Sequence, residues 1–146
     1  MENSLSGLLP DEMLTDHIGI DVQHEEIFSR IEHLRSADLE SNSEFVGSIV
    51  ELLDYLALHF VTEERLAESA GIDFSAHADT HNQNLRLLNK ALEEVKAGKM
   101  ASRSFVRFID HWFEHHINEF DKPFAEALER QSSPSLRRRV GSFTFV

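Results

Sequence analysis

EFVGSIVELLDYLALHFVTEERLAESAG, residues 44–71, places Phe45, Ile49, Leu52, Leu53, Leu56, Phe60 and Leu66 at spacings of three and four. That spacing is one face of an amphipathic α-helix, about 26 residues long, which Gly71 ends. Ser41 and Glu44 just ahead have the S-x-x-E spacing of a capping box. The same period predicts three more helices. One spans about 19–37, with Ile20, Ile27, Phe28, Ile31 and Leu34, and stops at the polar break 36–43. The next is capped by Asp73 or Ser75, presents Leu85, Leu88, Leu92 and Val95, and ends at Lys96 and a left-handed Gly98. The last runs over about 102–130 with Phe105, Phe108, Ile109, Trp112, Ile117, Phe120, Phe124 and Leu128, and Pro123 marks a kink or bulge in it. Four long helices with short connections predict an all-α, up-down-up-down antiparallel four-helix bundle. It occupies 19–130, between an N-terminal arm, 1–18, and a tail, 131–146, that holds Pro134, three Arg at 137–139 and no helical period.

The 146 residues suffice for one domain. Fourteen Lys and Arg against 26 Asp and Glu leave a net charge of -12, which opposes a phosphate backbone or an anionic membrane. Nucleic acid and membrane partners are not expected, and no unbroken apolar run nears the roughly 20 residues of a bilayer span. Without a basic, apolar leader at its start, the chain is expected in the cytoplasm. Zero Cys excludes disulfides, thiolate zinc sites, iron–sulfur clusters and a cysteine nucleophile.

Nine His remain. Residues four apart differ by only about 40° around a helix, so His59 and Glu63 share the apolar face of their helix. A buried Glu is costly unless a cation or hydrogen bonds compensate it. His77 and His81 repeat the pattern in line with Leu85 and Leu88; His24 precedes Ile27 by one turn; His116 follows Trp112, with Asp121 five residues on. Depth along the bundle is an independent test. About a first loop centred near 41, His24 lies 17 before and His59 18 after; about a third loop near 99, His81 lies 18 before and His116 17 after; about the middle loop near 72, Glu63 and His81 lie nine to either side. One such pair alone is common on solvated helices, and a single core His is more often hydrogen-bonded than ligated. Five imidazoles and two carboxylates in one apolar layer point instead to metal, of a kind that suits iron, manganese or zinc. Seven ligands exceed one six-coordinate ion. Two ions sharing Glu63, Asp121 and a solvent-derived bridge, with the imidazoles split three and two, leave one vacant position for a small ligand. Asp121, at i+5 from His116, turns about 140° on a regular helix, which predicts local distortion there.

The pieces IDVQH ending at His24, HFVTEE from His59, HADTH from His77 to His81 and WFEHHINEFD from Trp112 to Asp121 span about 100 of the residues. In this order they resemble the hemerythrin family. The resemblance implies two non-haem iron ions per chain with an oxo or hydroxo bridge, binding O2 or another small diatomic ligand. It implies His77, His81 and His116 on the filled iron, His24 and His59 on the open one, and Glu63 and Asp121 as bridges. Ile27, Phe60 and Trp112 match its apolar O2 pocket. Asn84 stands where an aromatic is usual, Phe113 where Leu is usual, and Ala67 where Met is usual. Asn84 either admits water and hastens autoxidation or points away while Leu85 fills the space. His17, His33, His111 and His115 are assigned no ligand role.

Reversible O2 binding, for storage, delivery or scavenging, is the leading reading, more a binding protein than an enzyme. The alternatives are a di-iron enzyme acting on peroxide, nitric oxide or ferrous iron, and an O2 or redox sensor read by a separate, unknown protein partner. No nucleophile with a matched base and no Gly-rich phosphate loop supports hydrolase or nucleotide chemistry.

Overall fold

A computed structural model describes residues 9–36 and 42–132 of the chain. All regular structure among them is helical: α1 (Ile18–Ser36), α2 (Asn42–Ala70), α3 (Ser75–Lys96), α4 (Ser102–His116) and α5 (Lys122–Ser132), with a 3-10 turn at Asp11–Met13 and a π turn at Ile117–Asp121 between α4 and α5. α1 packs on α2 and α4, and α3 packs on the same two, which closes the antiparallel four-helix ring that the short connections require. α4, the π turn and α5 are the single last helix of the sequence reading. The Ser41 half of the expected capping box and the tail beyond Ser132 lie outside the described residues.

Two glycines stop helices by the same device. Gly71 and Gly98 take φ of +70° and +75°, which costs a residue without Cβ little. Ile72 N–H then donates to Ala67 O (2.9 Å) and Lys99 N–H to Glu94 O (2.8 Å), using carbonyls that the helix ends leave unpaired. At the start of α3 the outcome differs from expectation. Phe74 occupies the cap position without a side-chain cap, because the Asp73 carboxylate turns locally to accept Ser75 N–H (3.1 Å) and Ser75 Oγ–H (2.9 Å).

The apolar faces form two clusters. The larger contains Ile27, Ile31, Ile49, Leu52, Leu56, Phe60, Leu88, Phe105, Ile109 and Phe113, and the smaller contains Ile20, Ala67, Phe124, Ala125 and Leu128. Each large side chain here contributes about 1.5–3 kcal/mol by leaving water. α2 averages a mean hydropathy of 1.5 over 18 residues, so by length and composition it could cross a bilayer, although no unbroken apolar run foretold this. Its apolar face lies in the bundle core and carries His59 and Glu63 inward.

Two buried carboxylates on α1, which the sequence reading passed over, tie down the described part of the arm, residues 9–17. Asp21 accepts Thr15 N–H (2.8 Å), Thr15 Oγ–H (2.8 Å) and Asp16 N–H (3.0 Å), and Glu25 accepts Leu9 N–H (3.0 Å). These bonds set Leu9 and Met13 into the larger cluster.

Candidate metal centre

Between the two clusters lies a polar layer. α1 contributes His24, α2 His59 and Glu63, α3 His77 and His81, α4 His116 and the π turn Asp121. Six of the seven are 0–2% exposed, and His77 is half-buried. The i,i+4 spacing delivers the pairs on α2 and α3. Asp121 arrives by the distortion expected of it: Lys122 N–H reaches back five residues to Ile117 O, so the widened turn brings position i+5 over His116. Pro123, without an N–H, cannot restore the regular ladder.

The carboxylate oxygens divide the imidazoles into two sets. Glu63 Oε1 faces Nε2 of His81 (3.2 Å) and His77 (3.6 Å), and Asp121 Oδ1 faces Nε2 of His77 (3.3 Å) and His116 (3.3 Å). Glu63 Oε2 faces His59 Nε2 (3.5 Å), and Asp121 Oδ2 faces His24 Nε2 (2.8 Å) and His59 Nε2 (3.6 Å). One set is therefore Glu63, His77, His81, His116 and Asp121, the other His24, His59, Glu63 and Asp121. Within each, the donor atoms lie within 4.8 Å of one another.

Both oxygens of Glu63, Asp121 Oδ1 and Nε2 of His77, His81 and His116 have no hydrogen-bond partner among the described side chains. Leaving a buried polar atom unmatched costs about 1–3 kcal/mol, and native proteins rarely concentrate such atoms. Six converging buried polar atoms without partners fit a cation. Desolvation pushes the His59 imidazole down to about 4, helped by His24, and pushes His81 down to about 2, helped by His77 and His116. Both rings are thus neutral at pH 7, the form that ligates. Burial and the charge of Asp121 hold Glu63 well above the carboxylate range. Burial pushes Asp121 the same way, but the His116, His24 and His59 rings outweigh it and keep that carboxyl well below its ordinary value. On protein groups alone the layer keeps a proton on Glu63, and a cation would displace it.

Around the layer stand the expected pocket residues Ile27, Phe60, Trp112 and Phe113, all buried. Phe60 stacks on His81 (3.8 Å between centroids), Trp112 on His116 (5.2 Å), and Phe113 meets His24 edge-on (5.6 Å). Asn84 is half-buried and does not point away: its Nδ2 is 3.2 Å from His116 Nδ1. The sequence reading missed Gln23. Its Oε1 accepts His59 Nδ1–H at 2.7 Å, and its Nε2–H donates to Thr62 Oγ1 at 3.1 Å. Its place directly before His24, in IDVQH, was the available signal. His33, His111 and His115 are exposed, and His17 caps α1 by accepting Ile20 N–H at Nδ1 (3.2 Å).

Comparison with known proteins places this geometry among relatives. The hemerythrin HHE cation binding domain family matches residues 16–128. A bacteriohemerythrin of Pseudomonas aeruginosa is 30% identical over 129 residues, covering 87% of this chain and 84% of the relative. One of Stenotrophomonas maltophilia is 30% identical over 141 residues, covering 87% and 92%. The crystal structure of a wild-type hemerythrin superposes with a TM-score of 0.67 at 28% identity, covering 75% of this chain and 87% of the other.

Proposed function

Because the chain belongs to the hemerythrin family, and its helical bundle presents a cation-binding layer, we propose that it binds O2 reversibly at a non-haem di-iron centre. The observation that carries this reading is the division of oxygens, in which Glu63 and Asp121 each turn one oxygen toward members of the His77–His81–His116 set and the other toward the His24–His59 set. His77, His81 and His116 would hold one ion and His24 and His59 the other, with Glu63 and Asp121 common to both sets. Reduced iron supplies the electron density that retains O2. The chain's own groups do the rest: His59 and His81, neutral at pH 7, offer Nε2 lone pairs, and Ile27, Phe60, Trp112 and Phe113 exclude water from the layer. The His24–His59 set offers two nitrogen donors against three, so a small exogenous ligand would be taken up on that side. The unit doing this is residues 19–130, and the partner is a small diatomic molecule.

The test is metal analysis with an optical spectrum of anaerobically reduced protein, before air, after air and after removal of the gas. Two irons per chain and a visible band that appears with O2 and vanishes on its removal are expected. Zinc, or no metal, overturns the reading. Irreversible oxidation favours redox chemistry on peroxide, nitric oxide or ferrous iron, a second reading supported by the half-buried Asn84 and His77 on the three-imidazole side.

A further inference from the structure

Asn84 follows His81 by one turn of α3 and brings its amide nitrogen to 3.2 Å from His116 Nδ1 on α4. In this orientation the amide donates and Nδ1 must be bare, so the ring's single proton sits on Nε2. That atom faces Asp121 Oδ1 at 3.3 Å, has no hydrogen-bond partner and points into the layer. An imidazole protonated at Nε2 cannot ligate through it. Ligation at Nε2 places the proton on Nδ1, which then needs an acceptor, and a half-turn about Cβ–Cγ of Asn84 exchanges Nδ2 for Oδ1 at the same distance.

We propose that Asn84 is a positioning residue that governs the His116 tautomer: it donates to Nδ1 in the metal-free chain and reverses its amide to accept Nδ1–H when Nε2 holds an ion. The inference rests on the reading that His116 is a ligand. The exchange balances, since Nε2 releases one proton toward solvent as Nδ1 takes one from it. Among side chains of this size an amide has this double capacity. A hydrophobe at position 84 can do neither, and a carboxylate can only accept. Fixing the ring by its outer nitrogen tunes both orientation and basicity, an effect worth tenfold to a hundredfold in metal affinity.

The experiment uses the full chain with ring-15N-labelled histidine, metal-free and loaded with zinc, which is diamagnetic and indifferent to O2. Parent protein is expected to show His116 with bare Nδ1 when metal-free and protonated Nδ1 with zinc. Asn84→Asp is expected to protonate Nδ1 in both states and to keep zinc affinity at or above the parent's. Asn84→Leu is expected to keep the metal-free chain folded, with a somewhat lower melting temperature, and to weaken zinc at the three-imidazole side by roughly tenfold to a hundredfold in chelator competition. Zinc affinity of Asn84→Leu within about twofold of the parent, or a bare Nδ1 in metal-free Asn84→Asp, overturns the inference and leaves the di-iron reading standing. A parent that takes up no zinc overturns the donor assignment and this inference together. Zinc loading with failed O2 binding by the iron form sinks the proposed function alone.

Discussion

The His24–His59 side and the His77–His81–His116 side share both carboxylates yet are held by different means. On the first, α1 and α2 bring Nε2 of the two rings to 3.2 Å, His24 sits 2.8 Å from Asp121, and Gln23 clamps His59 from behind while Thr62 fixes Gln23. On the second, α3 and α4 hold three rings 3.2–3.6 Å from carboxylate oxygens, and Phe60, Trp112 and Phe74 stack against them. One side is oriented by an anchored hydrogen-bond chain, the other mainly by aromatic packing and a single amide. The two sides therefore fix their rings by different contacts, one through an outer nitrogen and the other through ring faces.

Breaking what the sides share should have the largest effect. Asp121→Ala removes the oxygen facing His24 and the oxygen facing His116 at once. Bound iron should fall from two per chain to near none by metal analysis; retention of one ion would show that the two sides do not depend on a common bridge.

Breaking one side at a time should separate them. His59→Ala is expected to strip the two-imidazole side and keep about one ion per chain on the other, and His81→Ala the reverse, each with a lower melting temperature for the loaded protein. Binding at a hundredfold over Kd stabilises by about 2.7 kcal/mol, and each variant should forfeit an amount of that order. Unchanged metal content in both variants would remove these residues from the site.

The smallest effect sharpens the comparison through pH in chelator-treated protein. His59 and His81, one from each side, titrate near 4 and 2 when folded against 6.5 unfolded, so below pH 6.5 the unfolded chain takes up more protons and stability falls with pH. Glu63 is raised when folded, so its contribution is full below about pH 4.5 and is lost as pH rises above that. Two histidines outweigh one glutamate between these values. Metal-free stability should therefore peak near pH 6.5, with an acid limb of about 1.4 kcal/mol per pH unit between pH 6.5 and 4.5 that steepens below it, where Glu63 no longer offsets a histidine and Asp121 adds its own loss, measured by urea unfolding. Glu63→Gln should abolish the alkaline limb and keep the acid one; a surviving alkaline limb would locate the buried proton elsewhere.

Much of this molecule is legible in one dimension. Helix faces, the glycine stops at Gly71 and Gly98, the depth of the layer and the distortion before Pro123 all follow from periods and spacings, because each depends on residues within a few turns of one another. Most of the seven residues of the layer stand out because polar groups on an apolar stripe violate that period; Asp121, five residues beyond His116, lies off it. Gln23, Asp21 and Glu25 were not, because a polar residue at the edge of a stripe looks like any solvated one until its partner is known. Asn84 was noticed only as a departure from the resemblance, and its direction stayed open.

By itself the sequence determined that four amphipathic helices would bury five imidazoles and two carboxylates at one level. Only the tertiary structure decided which carboxylate oxygen faces which ring, that Gln23 serves His59 and Asn84 serves His116, and that the arm hangs from α1. The contacts that settle the first two join residues as far apart as 97 and 36 positions along the chain. Their geometry turns on side-chain torsions and on how neighbouring helices seat, and a local period carries no information about either.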